Sequence, residues 1–245
     1  MYEMESGFSF AEKLYFSTLE EEQELGVIPD DFSPMDKLKE IKKGQEYMLK
    51  YANPELAIRA YLLGSESGDG FLNETLYNEK YNCVGETAIF LSLAEQMDTE
   101  LFNKCHVGSI HYDYCNLSPF EKKKDGHVFV MKDSDKEVEI IDYGKNNKEE
   151  HYIREFNNLP VKKPKEYLIS CALNSCALKY LENIEVFKSL SLFQKAKSYG
   201  DNKVVNMNES MVHRTIAGMI TDYIVKEIQK HPEMLPQEVI EKILE

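Results

Sequence analysis

Two short β-prone runs constrain this chain more than any other feature. His127-Val128-Phe129-Val130-Met131 is the first, and Glu137-Val138-Glu139-Ile140-Ile141-Asp142 is the second. Between them lies Lys132-Asp133-Ser134-Asp135-Lys136, a polar turn of hairpin length, so the two runs are expected to pair as adjacent antiparallel strands. A third strand-like stretch precedes them from Cys105 to Cys115, with Val107, Ile110 and Tyr112 among polar residues. Gly144-Lys145-Asn146-Asn147 ends the β region. The rest of the chain is patterned at helical period. The expected fold class is therefore α+β: a small antiparallel sheet packed on a helix, with helical segments at both ends.

Phe8 to Leu25 carries apolar residues at Phe8, Ala11, Leu14, Tyr15 and Leu19, which predicts one helix ended by Gly26 and Pro29. Ser33-Pro34 supplies an N-cap and a first-turn proline for a second helix reaching about Tyr51. Asn53-Pro54 then introduces a short helix over Glu55 to Leu63. Gly64 to Gly70 is rich in turn residues and marks the first boundary. After the β region, helices are expected over Lys165 to Tyr180, Ile184 to Tyr199 and Glu209 to Lys230, with a short one after Pro236. This divides the chain into an N-terminal helical segment (1–65), a core (66–160) and a C-terminal helical segment (161–245). Ala177, Tyr180, Ser189, Phe193 and Ala196 sit at the offsets of a tetratricopeptide-like helix pair. An ordinary helical hairpin fits them equally well.

Charge and cysteine usage narrow the function classes. The formal net charge is −14, which disfavours phosphate backbones and anionic membrane surfaces as partners. No apolar run reaches the about 18–20 residues needed to cross a bilayer. Met1-Tyr2-Glu3-Met4-Glu5 lacks the basic and apolar regions of a signal peptide, so the expected compartment is the cytoplasm. The five cysteines follow no disulfide-scaffold spacing and are expected to be thiols there.

One of those thiols is placed for chemistry. Cys83 stands in Tyr81-Asn82-Cys83-Val84-Gly85-Glu86-Thr87, just ahead of an apolar helix reaching about Met97. Asn82 can cap that helix. A cysteine at a helix N-terminus feels aligned backbone dipoles that favour thiolate, the reactive form. Free N–H groups of the same turn can hold an oxyanion, and Asn82 with the backbone N–H of Cys83 are the candidate donors. His127 opens one strand of the predicted hairpin and Asp142 closes the other, which puts them side by side at its open end. A carboxylate there fixes the imidazole tautomer and stabilises its charged form. Cys83, His127 and Asp142 are thus the candidate triad.

This pattern of a Cys opening an amphipathic helix, a Gly-His opening a strand and an Ile-Asp closing the next resembles the transglutaminase-like superfamily. His127 follows Cys83 by 44 residues and Asp142 follows His127 by 15, in the family's order. The resemblance covers about residues 80–144, roughly a quarter of the chain. It implies thiol chemistry on amides or esters: hydrolysis, deamidation or transamidation of a protein or peptide, with no cofactor and no metal. Two alternatives stand beside it. One is a catalytically inactive scaffold that binds a peptide or protein partner through its helical region. The other is an acyltransferase similar to arylamine N-acetyltransferases. Those share the residue order, but Glu79-Lys80-Tyr81 stands where they have Arg-Gly-Gly.

Other candidates are weaker. Cys105, His111 and Cys115 share strand parity but lack the second ligand pair that zinc requires. Cys105 and His106 point to opposite faces of a strand and cannot form a dyad. Cys171 and Cys176 are expected in the core, and no resolving cysteine for Cys83 is evident. His151, His213 and His231 have no evident partner. Glu121 to Asp125 reads as a solvated loop, or as a flap over the site. No glycine-rich stretch has the Lys-Ser/Thr ending of a phosphate loop.

Overall fold

The computed structural model describes residues 7–68, 70–111, 126–134, 138–142 and 159–230. The architecture is α+β, mainly helical, with a small antiparallel sheet of four strands. The elements run α1 (Phe10–Phe16), α2 (Leu19–Glu24), α3 (Pro34–Gln45), a single 3-10 turn (Met48–Lys50) and α4 (Pro54–Gly64). Then come β1 (Glu66–Ser67), α5 (Leu72–Asn78), β2 (Lys80–Tyr81), α6 (Cys83–Met97), α7 (Thr99–Lys104) and β3 (Cys105–His111). They continue with β4 (Gly126–Asp133), β5 (Val138–Ile141), β6 (Val161–Lys163), α8 (Tyr167–Glu182), α9 (Val186–Lys197) and α10 (Lys203–Lys230).

The central element is α6. Apart from Glu86, every residue from Gly85 to Ala94 is buried, as expected of a helix that is apolar all round. It packs on α1, α3, α4, α5 and α8, and on β4 of the sheet. The sheet order is β5-β4-β3-β6 and all neighbours are antiparallel. Val128, Val130 and Ile141 point into the main core, while Ile110, Phe129 and Ile140 form a small second cluster. That main core is continuous from Phe10 of α1 to Val212 of α10, so the N-terminal, middle and C-terminal segments bury one shared interior.

Several expected elements change length. The first helix is two, because the Ser17 hydroxyl donates to the carbonyl of Leu14 and Thr18 donates to Glu22 where the helix would continue. The second stops at Gln45 and leaves only the 3-10 turn before Asn53. The short α5 and the three-residue β6 carry no periodic signal of their own and were not anticipated. Asn53 and Ser33 cap α4 and α3 through their side chains, each with proline at the first position.

Two carboxylates splice helices together. Glu95 of α6 accepts the backbone N–H groups of Phe10 and Ala11 at the start of α1, at 2.7 and 3.0 Å. Glu22 accepts those of Asn73 and Glu74 at the start of α5, at 3.1 and 2.9 Å. On the sheet face that carries Val130 and Ile141, Arg59 and Glu55 of α4 pair with Glu139 and Lys132 and so tie that helix to β5 and β4. α8 and α9 form an antiparallel hairpin whose Ala177, Tyr180, Ser189, Phe193 and Ala196 are all buried. Among the described residues no helix is long and apolar enough to cross a membrane.

Candidate functional site

Asn82 sets the start of α6. Its side-chain oxygen accepts the N–H of Gly85 at 2.9 Å, and its amide donates to the carbonyl of Gly70 at 2.8 Å. One amide hydrogen of this candidate oxyanion donor is thereby committed to a loop. Cys83 becomes the first helical residue, and Thr87 donates to its carbonyl at 2.7 Å. The helix end is pressed onto α5: a Cβ at Gly85 would lie 2.8 Å from Oγ1 of Thr75. The first turn of α6 therefore needs glycine at that position to reach its place.

The sheet delivers the other two residues. His127 is the second residue of β4 and Asp142 follows the last residue of β5. The register pairs Val130 with Ile141, so Asp142 continues opposite Phe129 rather than opposite His127. The two meet on the diagonal, a separation that long side chains bridge. His127 Nε2 and Asp142 Oδ2 are 2.6 Å apart, with the side chains 11% and 2% exposed. The Cys83 thiol lies near enough to act on the charge of the same ring. The structure thus brings Cys83, His127 and Asp142 together around one imidazole.

Charge on that ring is contested. Burial works against the imidazolium, but the hydrogen bonds to Asp142 and Cys83 outweigh it and raise His127 to about 9. Phe129 packs beside the ring, with centroids 5.7 Å apart. Its position depends on Gly108 across the β3–β4 ladder, where a Cβ would come within 2.3 Å of the Phe129 ring.

Two neighbours were missed in the sequence. Glu86, one turn past Cys83, lines a narrow gap between helix and sheet with Asp142, Thr87, Val128 and Ile141. Burial first, then the Asp142 carboxylate, pushes Glu86 up to about 7, and the imidazolium opposes them. Cys171 of α8 lies within electrostatic reach of Cys83, where no second thiol was expected. Burial chiefly pushes it up to about 12, and the Asn202 amide sits 3.7 Å from its sulfur.

The remaining candidates separate from this site. Burial pushes the Cys105 thiol up to about 12. His106 instead meets Asp133 at 3.0 Å, on the strand's far side. Cys176 is buried in the core and His213 is exposed on α10. Among the described residues no group of three or more His, Cys, Asp or Glu is placed to hold a metal ion. Cys115, His151, His231, the 121–125 loop and the helix expected after Pro236 lie outside the described residues, as does the His111 side chain. Compared with family models, curated proteins and solved structures, the chain matches none.

Proposed function

We propose that this protein is a thiol-dependent acyl-transfer enzyme with a transglutaminase-like core, acting on amide or ester groups of a protein or peptide. One observation carries the reading. A single imidazole is held by Asp142 at 2.6 Å and has its charge favoured by the thiol of Cys83, which opens a 15-residue helix. The Cys83 thiolate adds to the acyl carbon, and the carbonyl electrons move to oxygen. The backbone N–H of Cys83 and the remaining amide hydrogen of Asn82 meet that oxyanion. The intermediate collapses as the His127 imidazolium protonates the leaving amine or alcohol, which leaves a thioester on Cys83. Water or a second amine then adds to the thioester and gives its proton to His127, and the thiolate departs. No cofactor takes part.

The test uses p-nitrophenyl acetate as an activated acyl donor. The wild-type protein is expected to release a burst of p-nitrophenolate, one equivalent per protein, that Cys83→Ala lacks. A wild type without the burst, or a Cys83→Ala protein that keeps it, would reject acyl transfer in favour of an inactive binding scaffold.

A further inference from the structure

We infer that Glu86 is a positioning residue for the Cys83–His127 pair, its carboxyl setting the charge against which the imidazole ionises. The inference rests on the acyl-transfer reading above. Residues three apart in a helix share a face, so Glu86 and Cys83 project from the same side of the first turn of α6. The backbone N–H of Glu86 is fixed by the carbonyl of Asn82 at 2.8 Å, so that turn is rigid. Its side chain and Asp142 line the same narrow cleft between helix and sheet.

What singles Glu86 out is the lack of a structural task. The half-buried Glu95 and the buried Glu22 each cap the start of another helix. Glu55 and Glu139 take part in the ion pairs that tie α4 to the sheet. The Glu86 carboxyl makes no hydrogen bond or ion pair with any described residue. Burying part of a carboxyl without a partner costs free energy, and the fold keeps this one in the gap it shares with Asp142, which holds the imidazole. Among the described residues, Asp142 and His127 are the ionisable groups that act on it, while α1, α3, α4, α5 and α8, which also pack on α6, place no charge there.

Two carboxyls that line one gap do not ionise alike. Burial first, and then the Asp142 carboxylate that holds the ring hydrogen bond, keep the proton on Glu86 to higher pH, up to about 7. Once Glu86 ionises, its negative charge adds to that of Asp142 and stabilises the imidazolium. Near neutral pH the site therefore has a second carboxyl that tunes the base.

The experiment follows the His127 ring by NMR across pH, its signal identified by its loss in His127→Gln. In the wild type the ring is expected to titrate near 9 with a second, smaller inflection near 7 as Glu86 ionises. Glu86→Gln should remove the smaller inflection and lower the main midpoint by about one pH unit. Glu86→Asp, which keeps the charge, should retain both. A Glu86→Gln protein with both features unmoved overturns the role of Glu86. If it also keeps the p-nitrophenolate burst, acyl transfer stands without it. A wild-type ring that titrates near 6.5 sinks the ion pair and the role of Glu86 together.

Discussion

At the scale of single residues, His127 decides the behaviour of the site. Its ring is held by a carboxylate and acted on by a thiol, and removing it should undo both. Cys83 in the wild type is expected to react with iodoacetamide at neutral pH, while Cys105, Cys171 and Cys176 stay unlabelled because burial keeps each as a thiol. Peptide mapping after brief alkylation checks this, and labelling of a buried thiol ahead of Cys83 counts against it. His127→Ala should slow alkylation of Cys83 by about 100-fold. Asp142→Asn should cost less, because the carboxylate acts only through the ring.

The same ring makes stability depend on pH. It is held up to about 9 in the fold and sits near 6.5 otherwise, so the native state binds the proton more tightly. That stabilisation is complete below about pH 6.5 and is lost as pH rises through about 9, a change on the order of 3 kcal/mol. Urea unfolding of the wild type and His127→Gln should show their difference shrinking from pH 6 to 9.5. A constant difference across that range would contradict it. Cys83, His127 and Asp142 were legible in the sequence because each lies at the end of an element marked by local signals. Glu86 was not, because its environment is made by the end of β5, 56 positions along the chain.

At the scale of elements, the site is the meeting of one helix end with one hairpin rim. The hairpin and the start of α6 could be foreseen because period, cap and turn signals are local. The diagonal offset between His127 and Asp142 could not, because register depends on how β4 and β5 pair across the turn. The brief α5 and β6 escaped for the opposite reason: six or fewer residues of pattern, or seven at most, do not establish a period. One glycine carries much of the geometry. Gly108 lets the Phe129 ring lie across β3, and that ring flanks His127. Gly108→Ala should force the ring aside, destabilise the fold by about 1–3 kcal/mol, and slow alkylation of Cys83. Thermal unfolding together with the alkylation rate tests it. A variant that is less stable but equally reactive would separate Phe129 from the site.

At the scale of the whole molecule, the helical flanks and the middle segment unfold together or apart, and the core says which. α6 carries Cys83 at its start and is surrounded by α1 and α4 from the N-terminal third and α8 from the C-terminal third. Leu14 of α1, Leu91 of α6 and Leu173 of α8 are each fully buried in one cluster. Truncating any of them leaves a cavity in that shared interior, at a cost of about 2–5 kcal/mol. The loss should then be felt at Cys83 whichever third carries the change. Leu14→Ala and Leu173→Ala are expected to lower the urea midpoint, with far-UV circular dichroism, tyrosine fluorescence and Cys83 labelling all following one transition. The 15 tyrosines report on every third of the chain, and no tryptophan complicates the signal. Suppose instead that Leu173→Ala melted its helices first while Cys83 kept its reactivity to higher urea. The C-terminal helices would then be an appendage, and the site would be supported by the N-terminal helices and sheet alone.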